Sequence, residues 1–209
     1  YTYTYMPNFF HTSMAFYWTS LTLYLSMGYL CGSIPFGLIW TKIFKKGDPR
    51  LVGSCNIGAT NVYRMAGIKI AALVYVSDFL KSALPVLFVP TDYKIPTGIA
   101  CIVGHIFSVF LKFKGGKGVA TACGVMAVLM PIPFGASVAL WYLIFKTTGY
   151  VSLASLFGVF SALIFSAVFF DQQHVMGMGL ISALILFSHR TNIARLLQGK
   201  ENKVTPNEP

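Results

Sequence analysis

Seven consecutive residues, Lys112-Phe113-Lys114-Gly115-Gly116-Lys117-Gly118, place three lysines and three glycines between two apolar segments. Glycine has no Cβ, so successive backbone N–H groups can turn toward a ligand at close range, and each lysine adds a mobile positive charge. The natural guest of such a loop is a phosphate. A cytoplasmic loop that merely obeys the positive-inside rule would also carry the lysines, but it has no need of the glycines. The spacing is not that of a Walker A loop, which requires GxxxxGK[ST], so nucleotide hydrolysis is not implied.

A second polar stretch runs from Arg50 to Arg64 and contains Gly53, Ser54, Asn56, Thr60 and Asn61. Two guanidinium groups can clamp phosphate oxygens in a bidentate way, and the hydroxyls and amides supply directional hydrogen bonds. Helix caps would account for one or two of these residues but not for all of them. Further on, Ser152 opens one apolar segment, and His189, Arg190, Asn192 and Arg195 close the last. Taken singly, Ser152 is a natural cap and Arg190 a natural headgroup anchor. What points to a site is that four segments rich in hydroxyls, amides and cations, and poor in carboxylates, can meet at one membrane surface.

Other candidates carry less. Asp78 and Lys81 stand one helical turn apart, where charge neutralisation is as natural as chemistry. His105 suits a general base and a histidine held at a helix interface equally well. No histidine is followed by aspartate five positions on and no serine lies in GxSxG, so the common H-x4-D acyltransferase and serine-hydrolase arrangements are missing. Cys31, Cys55, Cys101 and Cys123 lack CxxC spacing, so neither a disulfide nor a metal site is expected.

The elements that must position these residues are membrane helices. Of the 209 residues, 56% are hydrophobic and only 11% charged, with mean hydropathy +0.67, against about 25% charged in soluble domains. The net charge of +10 punctuates apolar runs instead of forming one face, which favours anionic headgroups or substrates over nucleic acid. Apolar runs at about 14–44, 66–89, 96–111, 119–130, 134–145, 150–169 and 175–188 predict an all-α integral membrane protein with seven transmembrane helices. The fifth is short for a bilayer. Nearly all lysines and arginines fall in the loops 45–64, 112–118 and 146–149 and in the tail, which predicts an outside N-terminus, a cytoplasmic C-terminus and polar, half-inserted cytoplasmic loops. Gly32-Ser33-Ile34-Pro35-Phe36-Gly37 predicts a kink in the first span. Residues 1–13 read as an N-terminal extension without an assigned role, 14–203 as a single membrane domain and 204–209 as a C-terminal tail.

GSIPFG (32–37), VGSCNIGATNVYR (52–64), DFLKS (78–82), GHIFSVFLKFKGGKGVAT (104–121), YVSLAS (150–155) and HRTNIARLLQGKE (189–201) together resemble the PlsY family of bacterial acyl-phosphate-dependent glycerol-3-phosphate acyltransferases. The resemblance covers nearly the whole chain after about residue 25, in order and at the expected spacing. It implies a multi-pass protein of the bacterial inner membrane with its active site at the cytoplasmic face. There it would transfer an acyl chain from acyl phosphate to glycerol 3-phosphate, giving lysophosphatidic acid and phosphate among the membrane lipids, without cofactor or metal. Carried onto this chain it implies catalytic roles for Ser54, Asn56, Arg64, Lys114, Ser152 and His189. Substrate-phosphate binding falls to Gly53, Thr60, Asn61, Gly115, Gly116, Lys117, Gly118, Arg190, Asn192 and Arg195. The chain departs from the family pattern at Cys55 and Ser82, where glycine is usual, at Ser108, where proline is usual, and at Gly149, where a basic residue is usual. At Cys55 a side chain would obstruct a tight loop or sit at a strained φ. A transporter or channel for an organic phosphate is the alternative reading of the same basic loops, and an inactive lipid-binding relative is a third.

Overall fold

The computed structural model describes the backbone of residues 7–204 and side chains from residue 14 onward. Residues 1–6 and 205–209, the ends of the predicted extension and tail, lie outside the described residues. The described chain is helical, without strands: α1 (Pro7–Ser33), α2 (Phe36–Ile43), α3 (Ala59–Ala66), α4 (Ile68–Phe88), α5 (Thr91–Ile106), α6 (Val119–Leu129), α7 (Pro131–Thr148), α8 (Val151–Phe169), α9 (Gln172–Ser188) and α10 (Arg190–Leu197), with a 3-10 turn at Val109–Leu111. Four segments, Met14–Ile43, Ile68–Phe88, Thr91–Leu111 and Val151–Phe169, are long and apolar enough to cross a bilayer alone.

The predicted kink is the break between α1 and α2. Pro35 has no N–H to continue the ladder, and its ring pushes the preceding residue out of helical geometry. Two features differ from expectation. The polar segment 45–64 leads into an amphipathic helix, α3, which polar composition had disguised as loop. The short fifth apolar run is the centre of an 18-residue helix, α7, because Pro131 starts a helix as readily as it ends one.

Small residues set the packing. A Cβ on Gly32 would fall on the Cys101 backbone and one on Gly104 on the Tyr29 backbone, so α1 and α5 meet backbone to backbone. Gly124 brings α6 equally close to α4, where the Ser82 hydroxyl donates to the Thr121 carbonyl at 2.7 Å. Ser137 of α7 donates to the Gly158 carbonyl of α8 at 2.7 Å, and Trp141 reaches Ser155 at 3.2 Å. The residue pairs 137/158 and 141/155 run in opposite senses, so α7 and α8 are an antiparallel pair. Val86, Ile102, Val125, Met178 and Ile181 fill the core between α4, α5, α6 and α9.

One charged cluster is buried in this core. The Lys81 ammonium lies 2.7 Å from Asp78 Oδ1 and donates to the Ile34 carbonyl at 2.8 Å and to His105 Nδ1 at 2.9 Å. The ion pair and these two hydrogen bonds tie α4 and α5 to the α1–α2 break. Asp78 is used in neutralising Lys81, and His105 Nδ1 is occupied as an acceptor.

Candidate active site

A cavity of about 660 Å³ opens beside α3, α10 and the Lys112–Gly118 loop and runs between α4, α6, α7 and α8. Its mouth is cationic and polar, and its depth is mostly apolar, with Asp78, His105, Ser137 and Ser155 as polar points in the wall. Thirteen of the residues singled out in the sequence line it: Ser54, Asn56, Thr60, Asn61 and Arg64 from the first loop and α3; Lys117 and Gly118 from the glycine-rich loop; Ser152, His189, Asn192 and Arg195 from α8 and the α9–α10 corner; and, deeper, Asp78 and His105 from α4 and α5. Gly53, Lys114, Gly115, Gly116 and Arg190 stand outside the lining. Lys114 is exposed. Arg190 turns back to donate to the Phe187 carbonyl at 3.1 Å and lies over the Phe187 ring.

The first loop is organised by one side chain. Asn61, 2% exposed, donates from Nδ2 to the carbonyls of Pro49 (2.8 Å), Val52 (3.1 Å) and Asn56 (2.9 Å) and accepts the Ser54 N–H on Oδ1 (2.9 Å). Its amide is fully spent on the loop, so it shapes the site instead of offering a free donor. Gly53 has φ +60°, and a Cβ there would collide with the Asn61 amide. Asn56 Oδ1 accepts the Gly58 N–H at 2.9 Å, turning the chain into α3. Cys55 has φ +54°. Its exposed side chain does not line the cavity, so the departure from glycine costs strain in the left-handed region without blocking the site.

The glycine-rich loop works differently from the expectation of inward-turned amides. The Gly115 N–H donates to the Ile106 carbonyl at 3.0 Å and the Gly116 N–H to the His105 carbonyl at 2.9 Å. A Cβ on Gly115 would fall on the His105 carbonyl, and one on Gly116 on the His105 ring. These two glycines thus let the loop lie flat on the end of α5. The N–H groups of Lys117, Gly118, Val119 and Ala120, at the start of α6, have no acceptor among the described residues, and all four residues line the cavity. That is the arrangement by which a helix N-terminus holds an anion. The Ser188 hydroxyl fixes it from α9 by donating to the Lys117 carbonyl at 2.9 Å.

A residue that sequence reasoning did not single out sits at the centre. Glu201 accepts hydrogen bonds from Ser152 (2.8 Å), Asn192 (2.5 Å) and Arg195 (2.7 Å). The next residue's carbonyl accepts from Arg64 at 3.2 Å, and Val204 N–H donates to the Gly149 carbonyl at 2.9 Å, so the segment after α10 straps the mouth. A signal was present: a carboxylate nine residues after Asn192 in an otherwise cationic tail.

The electrostatics follow from burial among like charges. Desolvation, aided by Arg195 and Arg64 and opposed by Glu201, lowers the Lys117 pKa to about 8. Burial and then Lys117 lower the His189 pKa to about 4. Its Nδ1 donates to the Ile185 carbonyl at 2.9 Å, so the ring is neutral with a lone pair on Nε2. Burial also lowers the pKa of Arg64. Burial pushes the Glu201 carboxyl up, but the hydrogen bonds from Asn192, Arg195 and Ser152 outweigh it and hold the group below its ordinary value. Three cationic side chains facing one carboxylate leave a net positive mouth, suited to anionic oxygens, above an apolar pocket suited to a hydrocarbon chain.

The family model for Glycerol-3-phosphate acyltransferase matches residues 22–199. A Glycerol-3-phosphate acyltransferase 2 of Bacillus anthracis is 45% identical over 188 residues, spanning 88% of this chain and 98% of that protein. A Glycerol-3-phosphate acyltransferase of Aquifex aeolicus is 44% identical over 182 residues, spanning 84% and 94%. Two crystal structures of PlsY (YgiH), an integral membrane glycerol 3-phosphate acyltransferase, superpose on this chain. The glycerol 3-phosphate form gives TM-score 0.84 at 41% identity, and the lysophosphatidic acid form 0.83 at 40%; both comparisons cover 89% of this chain and 96% of the other.

Proposed function

Because the chain belongs to the PlsY family of integral membrane glycerol-3-phosphate acyltransferases, we propose that it transfers a fatty acyl group from acyl phosphate to glycerol 3-phosphate, giving lysophosphatidic acid and inorganic phosphate. The observation that carries this reading is a cavity with a cationic mouth and a mostly apolar depth, where Arg64, Lys117 and Arg195 stand above the hydrocarbon-sized cleft. Family membership decides between the two readings of the basic loops in favour of an enzyme over a transporter. The strained, outward Cys55 leaves the site open, which favours an active enzyme over an inert relative.

Both substrates are anionic and repel one another in solution. The mouth neutralises that repulsion: Arg64, Lys117, Arg195 and the free amides at the start of α6 hold the two phosphates, with Ser54, Asn56, Thr60 and Ser152 directing them. Holding the glycerol hydroxyl against the acyl carbonyl supplies orientation worth several powers of ten in rate. The hydroxyl oxygen adds to the carbonyl carbon, the carbon–oxygen bond to phosphate breaks, and the electron pair leaves with phosphate. The hydroxyl proton passes to a substrate phosphate oxygen. Asp78 and His105 Nδ1 are committed to Lys81, so they are poor rivals for that proton. Neutral His189 and Asn192 line the same wall as hydrogen-bonding partners.

The seven-span topology, with cytoplasmic basic loops and C-terminus, is part of this proposal. It is supported by the antiparallel pairing of α7 with α8 and by the gathering of basic residues at one end of the cavity. It places the enzyme in a bacterial inner membrane with the mouth facing the cytoplasm. Phosphate release by the purified, detergent-solubilised protein on mixing acyl phosphate with glycerol 3-phosphate tests the reaction. Folded protein that releases none, or that accepts only a thioester donor, overturns the donor assignment.

A further inference from the structure

The apolar part of the cavity has a floor. On α4 its deepest lining residues are Tyr75 and Asp78, and on α7 they are Ser137 and Val138. Immediately beyond them stand Phe79 and Phe134, whose rings lie 6.3 Å apart, tilted at 50°. α4 is packed tightly on α6 and α7 on α8, so the two walls of the cleft belong to separate helix pairs. The Phe79–Phe134 contact joins those pairs at the end of the cleft remote from Lys117.

We propose that the Phe79–Phe134 ring pair sets the upper limit of acyl-chain length; the inference deepens the acyl-donor reading above and rests on it. From Phe145 in the cavity wall to Phe134, α7 rises about 16 Å at about 1.5 Å per residue. A chain shorter than this column leaves apolar wall uncovered and forgoes the burial of each missing methylene. A longer chain meets two aromatic rings that are each half-buried and, for Phe134, packed against the core. Displacing them disrupts close packing, so selectivity falls abruptly at the long end and gradually at the short end. Val138, one turn from Phe134 on the same face, narrows the column just before the floor.

The test is a profile of kcat/KM for purified enzyme against glycerol 3-phosphate and saturated acyl phosphates lengthened in two-carbon steps. Phe134→Ala and Phe79→Ala are expected to move the maximum toward longer chains by about two to four methylenes, up to the height of one helical turn of about 5.4 Å. Val138→Phe is expected to move it toward shorter chains. The opposed directions separate a change of ruler from loss of folded protein, which lowers all chains by the same factor. Variants that melt as folded protein and keep an unshifted maximum, whether or not their turnover falls, overturn the ring pair as the limit. Wild-type protein that releases phosphate from no acyl phosphate overturns the donor reading itself and the ruler with it.

Discussion

The Ser152 hydroxyl donates to Glu201 Oε1 at 2.8 Å, joining the first turn of α8 to the strap that follows α10. The same carboxylate takes Asn192 and Arg195, so three groups that line the cavity owe their orientation to one side chain. Glu201→Gln keeps the shape but loses the charge that Arg195 opposes. Hydrogen bonds to charged groups contribute about 1.5–3 kcal/mol, and the half-exposed Arg195 belongs at the low end of that range. We expect kcat/KM for glycerol 3-phosphate to fall about tenfold, which is about 1.4 kcal/mol, chiefly through KM. A lower KM in this variant would instead mean that the carboxylate competes with the substrate phosphate.

How much of this was legible in the sequence depended on whether a residue's type or its direction mattered. The kink at Pro35, the helix starts near Val119 and Val151 and the convergence of four polar segments follow from residue type, and they stand in the fold. By type alone Asn61 and Gly116 are phosphate partners, because amides and glycines can serve that way. In the structure the Asn61 amide faces inward to three carbonyls and the Gly116 N–H faces α5. Sequence counts donors but does not say which acceptor claims them. Glu201 escaped notice for the complementary reason: its partners lie on α8 and α10, and no local pattern marks a carboxylate that closes a distant site.

Lys117 gives the pH dependence a definite sign. Its ammonium must be present to hold phosphate, and its pKa is lowered to about 8, chiefly by burial. In the free enzyme kcat/KM should therefore fall as pH rises through about 8, tenfold per unit beyond it. Lys117→Arg should carry that limb upward by more than one unit, because guanidinium stays charged. The stability linkage has a related sign: the unfolded lysine binds its proton up to about 10.4, so the folded state gains as pH rises from about 8 to that value. A basic limb that stays put in Lys117→Arg would assign it to another group. His189, at about 4, should contribute no limb near neutrality.

Cys55 offers a stabilising change. A non-glycine residue at φ +54° carries about 1–2 kcal/mol of steric cost, and glycine returns part of this through the freedom of its unfolded chain, about 0.4–1 kcal/mol. Cys55→Gly should therefore stabilise by about 0.5–1 kcal/mol, seen as a rise of about 1–4 °C in Tm. Because the side chain does not line the cavity, kcat/KM should stay within about twofold. A large gain in activity would show that the cysteine impedes the site.

Asn61 tests whether the first loop acts as a preformed wall. Its buried amide makes four hydrogen bonds that together fix residues 49–56, and no other described side chain bonds to those carbonyls. Asn61→Asp keeps the size and the acceptor for Ser54 N–H but removes both Nδ2 donors and puts a carboxylate among three carbonyl oxygens. Each buried group left unsatisfied costs about 1–3 kcal/mol, more with a charge. A local opening is the cheaper response, since the loop surface is largely exposed. Amide hydrogen exchange should accelerate over residues 50–58 by tenfold or more while α4 and α5 keep their protection, and kcat/KM should fall at least a hundredfold as Ser54, Asn56 and Arg64 lose their common frame. Asn61→Gln, one methylene too long for the same pocket, should show the same pattern. Retained activity with a loosened loop would mean that the phosphates organise this wall on binding; uniform loss of protection would make Asn61 a general stability residue.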